Sequence, residues 1–235
     1  MRTVRAALLF VISQSVAGVA HASTDIGGEL TIATDYMYRG VSQTMSDPAL
    51  QVELAIENDT GWYGYLWASN VDFVPAAGPD DGAELEVNVA VGFSHGLSDS
   101  LSASLEGVAY VFPGTKPGYD YDYAEWLLGL QLHGRHRLTV GYSNSVFGSS
   151  DIGRFYAAAT TLDLTSRARL DVELGYYDLQ DALNFSYGYA EASIVYDANR
   201  FEWRLSYLTS DDDARTGFDP STVRDRLVFA VSMSF

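Results

Sequence analysis

From residue 30 to residue 235 the chain alternates between large apolar side chains and small or polar ones, in segment after segment. A period of two places successive side chains on opposite faces of an extended strand, so each segment has one apolar and one polar face. The last segment shows this most cleanly. Leu227, Phe229, Val231, Met233 and Phe235 alternate with Val228, Ala230, Ser232 and Ser234. In a soluble sheet such a terminal strand would be an exposed, greasy edge prone to aggregation. Closed against the first strand of a barrel, it has no free edge.

The same pattern recurs upstream. Leu30, Ile32, Tyr36 and Tyr38 share a face opposite Thr31, Asp35 and Arg39, and Leu50, Val52, Leu54 and Ile56 oppose Glu53 and Glu57. Tyr63, Tyr65, Trp67, Val71 and Phe73 read as the next apolar face, and Leu85, Val87, Val89, Val91 and Phe93 oppose Glu84 and Glu86. Comparable runs start near Leu101, Trp126, Leu138, Leu170, Ala190 and Phe201, whereas residues 154–164 fit either facing. Counting these gives about twelve strands of roughly ten residues, the length a tilted strand needs to cross a bilayer. No later stretch has the roughly 18 continuous apolar residues of a membrane helix. The expected fold is therefore all-β: a transmembrane antiparallel up-and-down β-barrel.

The connections alternate as such a barrel requires. Asn58–Gly61, His95–Ser100, His133–Arg135, Thr165–Arg167 and Asp197–Asn199 are tight turns, while 41–48, 74–82, 113–121, 146–153, 180–185 and 210–222 are longer links. All six prolines fall in or beside the longer links, leaving the ladders free of residues that cannot donate. Short periplasmic turns with longer outer loops are the pattern of outer-membrane barrels. Tyr36, Tyr38, Trp67, Phe73, Tyr142, Tyr176 and Tyr207 are expected to form an outer aromatic girdle, and Tyr63, Phe93, Tyr196, Phe201 and Phe235 an inner one.

Residues 1–22 read as a secretory signal peptide, with Arg2 and Arg5 before the apolar stretch Ala6–Ile12 and Ala20-His21-Ala22 as the cleavage site. Its removal takes two arginines and no acid, leaving residues 23–235 as a single barrel domain with 31 acids against 12 bases. This acidity argues against nucleic acid, since phosphate contact needs Lys and Arg. With no cysteine there is no disulfide, thiolate metal site or Cys nucleophile. The run Asp211–Asp213 lacks the alternating ligand spacing and glycine of a calcium loop, so it reads as a solvated loop facing lipopolysaccharide, and no metal or cofactor is expected.

Two stretches carry a family likeness. Thr34-Asp35-Tyr36-Met37-Tyr38-Arg39-Gly40-Val41-Ser42-Gln43, then Pro48-Ala49-Leu50-Gln51 and Gly61-Trp62-Tyr63-Gly64, together with Glu125-Trp126-Leu127-Leu128-Gly129-Leu130, resemble the TorF-type porin family of proteobacteria. The resemblance spans nearly all of residues 23–235 and is most specific over 34–73. It implies an outer-membrane barrel with a role in transport, and carries no functional residue over to this chain.

Function then has to come from the lumen. With apolar faces toward lipid, the inward charges are Asp35, Glu53, Glu57, Asp72, Glu84, Glu86, Glu106, Glu125, Asp171, Glu173, Glu191 and Glu202, against Arg39, Arg169, Arg204 and Arg226. Carboxylates beyond those four arginines need water or cations. The expectation is a porin-like channel for passive diffusion of small hydrophilic solutes, cation-preferring because its lining is acidic. Phe229, Val231, Met233 and Phe235 would be the membrane-insertion signal read by the barrel assembly machinery. A structural or adhesive barrel with a plugged lumen is the alternative. A barrel enzyme such as a phospholipase fits less well, because His95, His133 and His136 all sit at expected periplasmic turns, so no catalytic residue is assigned.

Overall fold

The computed structural model describes residues 24–73 and 79–235. The expected signal peptide and its cleavage site lie outside them. Twelve strands close into one antiparallel barrel. They are β1 (Thr24–Ala33), β4 (Ala49–Asn58), β5 (Trp62–Asn70), β6 (Leu85–Ser98), β7 (Leu101–Val111), β8 (Tyr123–Leu132), β9 (His136–Ser143), β10 (Gly153–Asp163), β11 (Ala168–Leu179), β12 (Phe185–Ala198), β13 (Phe201–Ser210) and β14 (Arg226–Ser234). Two short strands, β2 (Met37–Tyr38) and β3 (Val41–Ser42), pair only with each other. Helices α1 (Gln180–Leu183) and α2 (Asp212–Gly217) lie in the last two long links.

Each barrel strand pairs with its neighbour in sequence, and the circle is completed by β1 against β14, with Leu30 opposite Met233 and Ile32 opposite Val231. The seam extends to the last residue: Phe235 N donates to Gly28 O and Gly28 N donates to Phe235 O, both at 3.0 Å. Gly28 matters because the Phe235 ring lies over it; a Cβ there would sit 2.5 Å from the ring.

The outward faces are mostly those that alternation specifies. Ile32, Leu54, Val89, Leu105, Trp126, Leu128, Leu174, Ile194, Leu205 and Phe229 are all exposed, and together they wrap the barrel in an apolar belt. In β10 it is Tyr156 and Leu162 that point outward, with Phe155 buried inside. Tyr142, Tyr176 and Tyr207 are exposed near one rim, and Tyr196, Phe201 and Phe235 near the other.

Two expectations are overturned. First, β5 faces the other way: Trp62 and Leu66 are exposed while Trp67 is buried and Tyr63 and Tyr65 are partly covered. The pairing requires this, because Glu53 lies opposite Trp67 and Glu57 opposite Tyr63, and directly opposed residues share a face. Second, β1 stops at Ala33, and residues 34–48 turn into the barrel instead of prolonging the strand. Tyr36, Tyr38 and Trp67 therefore belong to the interior, not to the outer girdle, and Tyr63 to the interior, not to the inner girdle; Phe73, in the link after β5, packs against Phe112 and Tyr121 instead of facing outward.

The long link after β13 is tied down locally. The Asp211 side chain caps α2 by accepting from Ala214 N at 3.0 Å and also accepts from Gly188 N at 2.6 Å. Arg215 pairs with Asp225 at 2.5 Å. Arg215 and the hydroxyl of Thr209, which donates to Asp225 at 2.7 Å, hold the Asp225 carboxyl below its ordinary pKa, the Thr209 bond contributing most.

Closure through Gly28 is testable. Gly28→Leu forces the Phe235 ring off the seam, and the folded fraction in detergent, read as heat-modifiable gel mobility, should fall severalfold, whereas Asp99→Asn in an exposed turn should leave it within error. Equal folding of Gly28→Leu and the parent would remove the seam from the account.

Candidate functional site in the barrel interior

Residues 34–48 cross the inside of the barrel, as their partners show. Asp35 pairs with Arg226 of β14. The Tyr36 ring sits 5.2 Å from that of Trp67 in β5, and its hydroxyl donates to Glu86 of β6 at 3.4 Å. Tyr38 reaches the hydroxyls of Tyr110 in β7 and Tyr123 in β8, at 3.3 and 3.1 Å. The Gly40 carbonyl accepts from Ser210 of β13 at 2.9 Å. A segment touching inward side chains of β5, β6, β7, β8, β13 and β14 can only lie within the ring they form.

Gly40 makes this course possible. Its φ of +80° is left-handed, and a Cβ there would lie 2.5 Å from Ser210 Oγ and 2.6 Å from Tyr189 Cβ. Any side chain would be strained and would collide with two strands. Asp35 fixes the base of the segment by accepting from Ser42 at 2.6 Å and Thr44 at 2.9 Å, besides its ion pair with Arg226.

At the centre stands Arg39. Its guanidinium donates to both oxygens of Glu125 on β8, at 2.8 and 2.6 Å, with Glu125 almost entirely buried. Such a fork-to-carboxylate pair is the strongest geometry available to an ion pair. The same guanidinium lies 3.8 Å over the Phe155 ring, 4.4 Å over Tyr177 and 4.7 Å over Tyr38. Aromatic faces attract a cation electrostatically, and more so away from water. The hydroxyls of Tyr110 and Tyr177 sit 3.3 and 3.5 Å from Glu125. Segment, ion pair and rings together fill the half of the interior nearer the long links.

The other half is polar. On β11 and β13, Arg169 meets Asp171 at 3.2 Å, Glu202 at 2.8 Å and Asp197 at 3.5 Å, and Arg204 meets Asp171 and Glu202 at 3.4 and 3.3 Å. Glu173 lies 3.8 Å from Arg137 of β9, an arginine that the alternation argument does not single out. Glu29, also missed, is buried and directly opposes Glu53 across the β1–β4 ladder. Because alternate residues share a face, counting back from Thr31 on the polar face of β1 would have found it. The donors to Glu29, Glu86, Glu106 and Glu191 are neutral: Thr31, Tyr36 with Asn88, Tyr65 and Ser193. Neither these four nor Glu53 makes an ion pair among the described residues.

The structure does not bring every expected charge into this set. Asp72 and Glu84 lie in the link between β5 and β6 and are exposed, and Glu57 is exposed at the tight-turn rim. A side chain past the end of a strand no longer has its facing set by the pleat, which is why alternation misplaces Asp72 and Glu84; Glu57, still within β4 and opposite Tyr63, keeps the inner face and is exposed because it lies at the rim.

The pair Arg39–Glu125 should behave as a unit. Arg39→Met leaves Glu125 buried without its counter-charge and should cost about 3–5 kcal/mol of stability. Arg39→Met with Glu125→Gln should cost clearly less than Arg39→Met alone. Urea unfolding of the refolded barrel measures both, and additive losses would show that the two side chains do not depend on each other.

Similar proteins fit this geometry. The barrel resembles the solved NanC porin (TM-score 0.59, 9% identity, covering 90% of this chain and 99% of that one). It also resembles the KdgM porin (TM-score 0.54, 7% identity, covering 91% and 99%), which has also been solved in complex with disordered oligogalacturonate. At such identities the likeness is one of fold. No curated protein matches the chain. The family model described as a bacterial protein of unknown function (Gcw_chp) matches residues 17–235, and the chain belongs to that family.

Proposed function

We propose that the protein is an outer-membrane channel for passive diffusion of small hydrophilic solutes, with a preference for cations. The observation that carries this reading is the charge imbalance inside the barrel. Glu29, Glu53, Glu86, Glu106 and Glu191 lie on the inner wall without an ion pair among the described residues, while Arg39, Arg226, Arg169 and Arg204 are each matched to acids. Carboxylates in that position draw their counter-charge from water and mobile cations. A wall of one sign concentrates the opposite ion and repels its own.

Other observations support the setting. The apolar belt suits lipid, and the alternating short and long connections suit a barrel with its termini on the periplasmic side. The likeness of residues 34–73 to TorF-type porins and the shared fold with NanC and KdgM point the same way. Lipid and lipopolysaccharide would surround the belt, and the strand bearing Phe229, Val231, Met233 and Phe235 would be the one presented to the barrel assembly machinery. The leader in residues 1–22 would supply export. Oligogalacturonate, the polyanion in the KdgM complex, would here meet a carboxylate-rich wall, so the solute class proposed for this chain differs.

A second reading has an observation of its own. Residues 34–48 and the rings around Arg39 occupy half of the interior, as a plug would, in keeping with a structural or adhesive barrel. A twelve-stranded barrel lies between those filled by side chains and those with open channels, so a narrow path beside the segment is compatible with its size.

Planar-bilayer recording across a potassium chloride gradient separates the two. The expected reversal potential has the sign of cation preference, and Arg39→Ala, which frees the segment, should raise conductance severalfold. Anion preference, or no conductance in either protein, would overturn the channel. The membrane setting has its own test: Leu205→Arg, at the middle of the exposed face of β13, should lower stability in lipid vesicles by roughly 2–4 kcal/mol. No loss would place that face away from hydrocarbon.

A further inference from the structure

The polar half of the interior holds a half-enclosed cavity of about 170 Å³, lined by strands from β5 to β11. Engineered cavities of about 150 Å³ accept a molecule the size of benzene, so this one has room for a single small solute. Its walls carry a distinct chemistry. Ser94, Ser102, Ser104, Gln131 and Thr139 offer hydroxyl and amide groups, while Leu127, Ala157 and the rings of Tyr63 and Phe155 supply the larger, apolar share against which a short carbon skeleton can pack. Gly129 keeps the wall open beside Ser104, since a Cβ there would lie 2.5 Å from Ser104 Oγ.

Two of the lining groups are buried with an oxygen that has no hydrogen-bond partner. Glu106 is 3% exposed; its Oε1 accepts from Tyr65 at 3.2 Å and the Tyr63 hydroxyl also reaches the carboxylate, yet its Oε2 has no partner in hydrogen-bond geometry. Ser94 is 5% exposed, and its Oγ is likewise without a partner. Native interiors rarely leave such groups unmatched, and those that do call for an explanation. The charges in the cavity wall are two carboxylates, Glu106 and Glu173, and one arginine, Arg137, which pairs with Glu173. One positive charge carrying N–H donors would balance Glu106.

We propose that this cavity is a binding site for a small hydroxylated ammonium ion, with the ammonium against Glu106 and the hydroxyls against the serine- and glutamine-lined wall. A bare metal ion needs several oxygen ligands closed around it, and no three acidic or histidine side chains converge in that way among the described residues; a neutral polyol would leave Glu106 uncompensated. A hydrocarbon ammonium would strand the serines. The inference deepens the reading of the lumen as a cation path and rests on it.

Calorimetry on the barrel refolded in detergent tests it, with protonated tris(hydroxymethyl)aminomethane as the probe. Pentaerythritol has a similar shape without the charge, and tert-butylammonium has the charge without the hydroxyls. The expected result is saturable one-site binding of the probe, at least tenfold tighter than either control. Glu106→Gln should weaken it at least tenfold. Ser104→Leu, which fills the cavity and changes no charge, should weaken it as much, so a folding failure in one variant leaves the other to decide. Absence of saturable binding, equal affinity for the probe and pentaerythritol, or parental affinity in both variants would overturn the site. Those results would leave the reversal potential untouched, because it reports the whole carboxylate surplus, and an anion-selective channel would instead strike the wider reading.

Discussion

Closure of the sheet governs everything else in this molecule. A strand at an open edge leaves a row of backbone N–H and C=O groups unpaired, and hydrocarbon offers them no substitute. The ladder from β1 round to β14 pairs them all the way, and the Gly28–Phe235 bonds carry the pairing to the final residue. Once the ring is shut, the pleat leaves each strand residue only two directions, outward to the belt or inward to a narrow interior. The acid surplus then has no other place within the strands than the inside.

That constraint is written into the sequence. Strand number, up-and-down order and the position of the long links follow from periodicity and proline placement, because burial on one face of a closed sheet demands strict alternation. Glu86, Glu106, Glu125, Asp171 and Glu173 sit on the inner wall for the same reason. Alternation fails where its premise fails. Asp35-Tyr36-Met37-Tyr38-Arg39 keeps the rhythm of a strand but runs inside the ring, and no period distinguishes a lipid-facing tyrosine from one packed against Trp67 and Glu86. In β5 both faces mix large apolar or aromatic side chains with small ones, so hydrophobicity does not choose between them. The register across the tight turn does, through Glu53 opposite Trp67. Tyr and Trp are ambiguous by nature, with an apolar body and a polar tip that serve a headgroup layer and a carboxylate-lined interior equally well.

The inner segment also explains why the interior has two characters. Arg39, on a chain crossing the barrel, is matched by Glu125 and by three aromatic faces, and Arg226 is matched by Asp35 at the segment's base. Two of the arginines that could have neutralised the wall are therefore committed to holding residues 34–48 in place. Arg169 and Arg204 are committed in turn to Asp171, Glu202 and, for Arg169, Asp197 as well. The carboxylates on β1, β4, β6 and β7 are left with neutral donors or none, on the side of the wall where the cavity begins. Positive charge goes to architecture and negative charge is left facing the lumen. A sequence with the same composition but an arginine at Glu53 or Glu106 would keep the barrel and lose that polarity. The net charge of the whole chain, much of it on exposed links, does not determine the sign of the interior. The pairing of individual side chains inside the ring does.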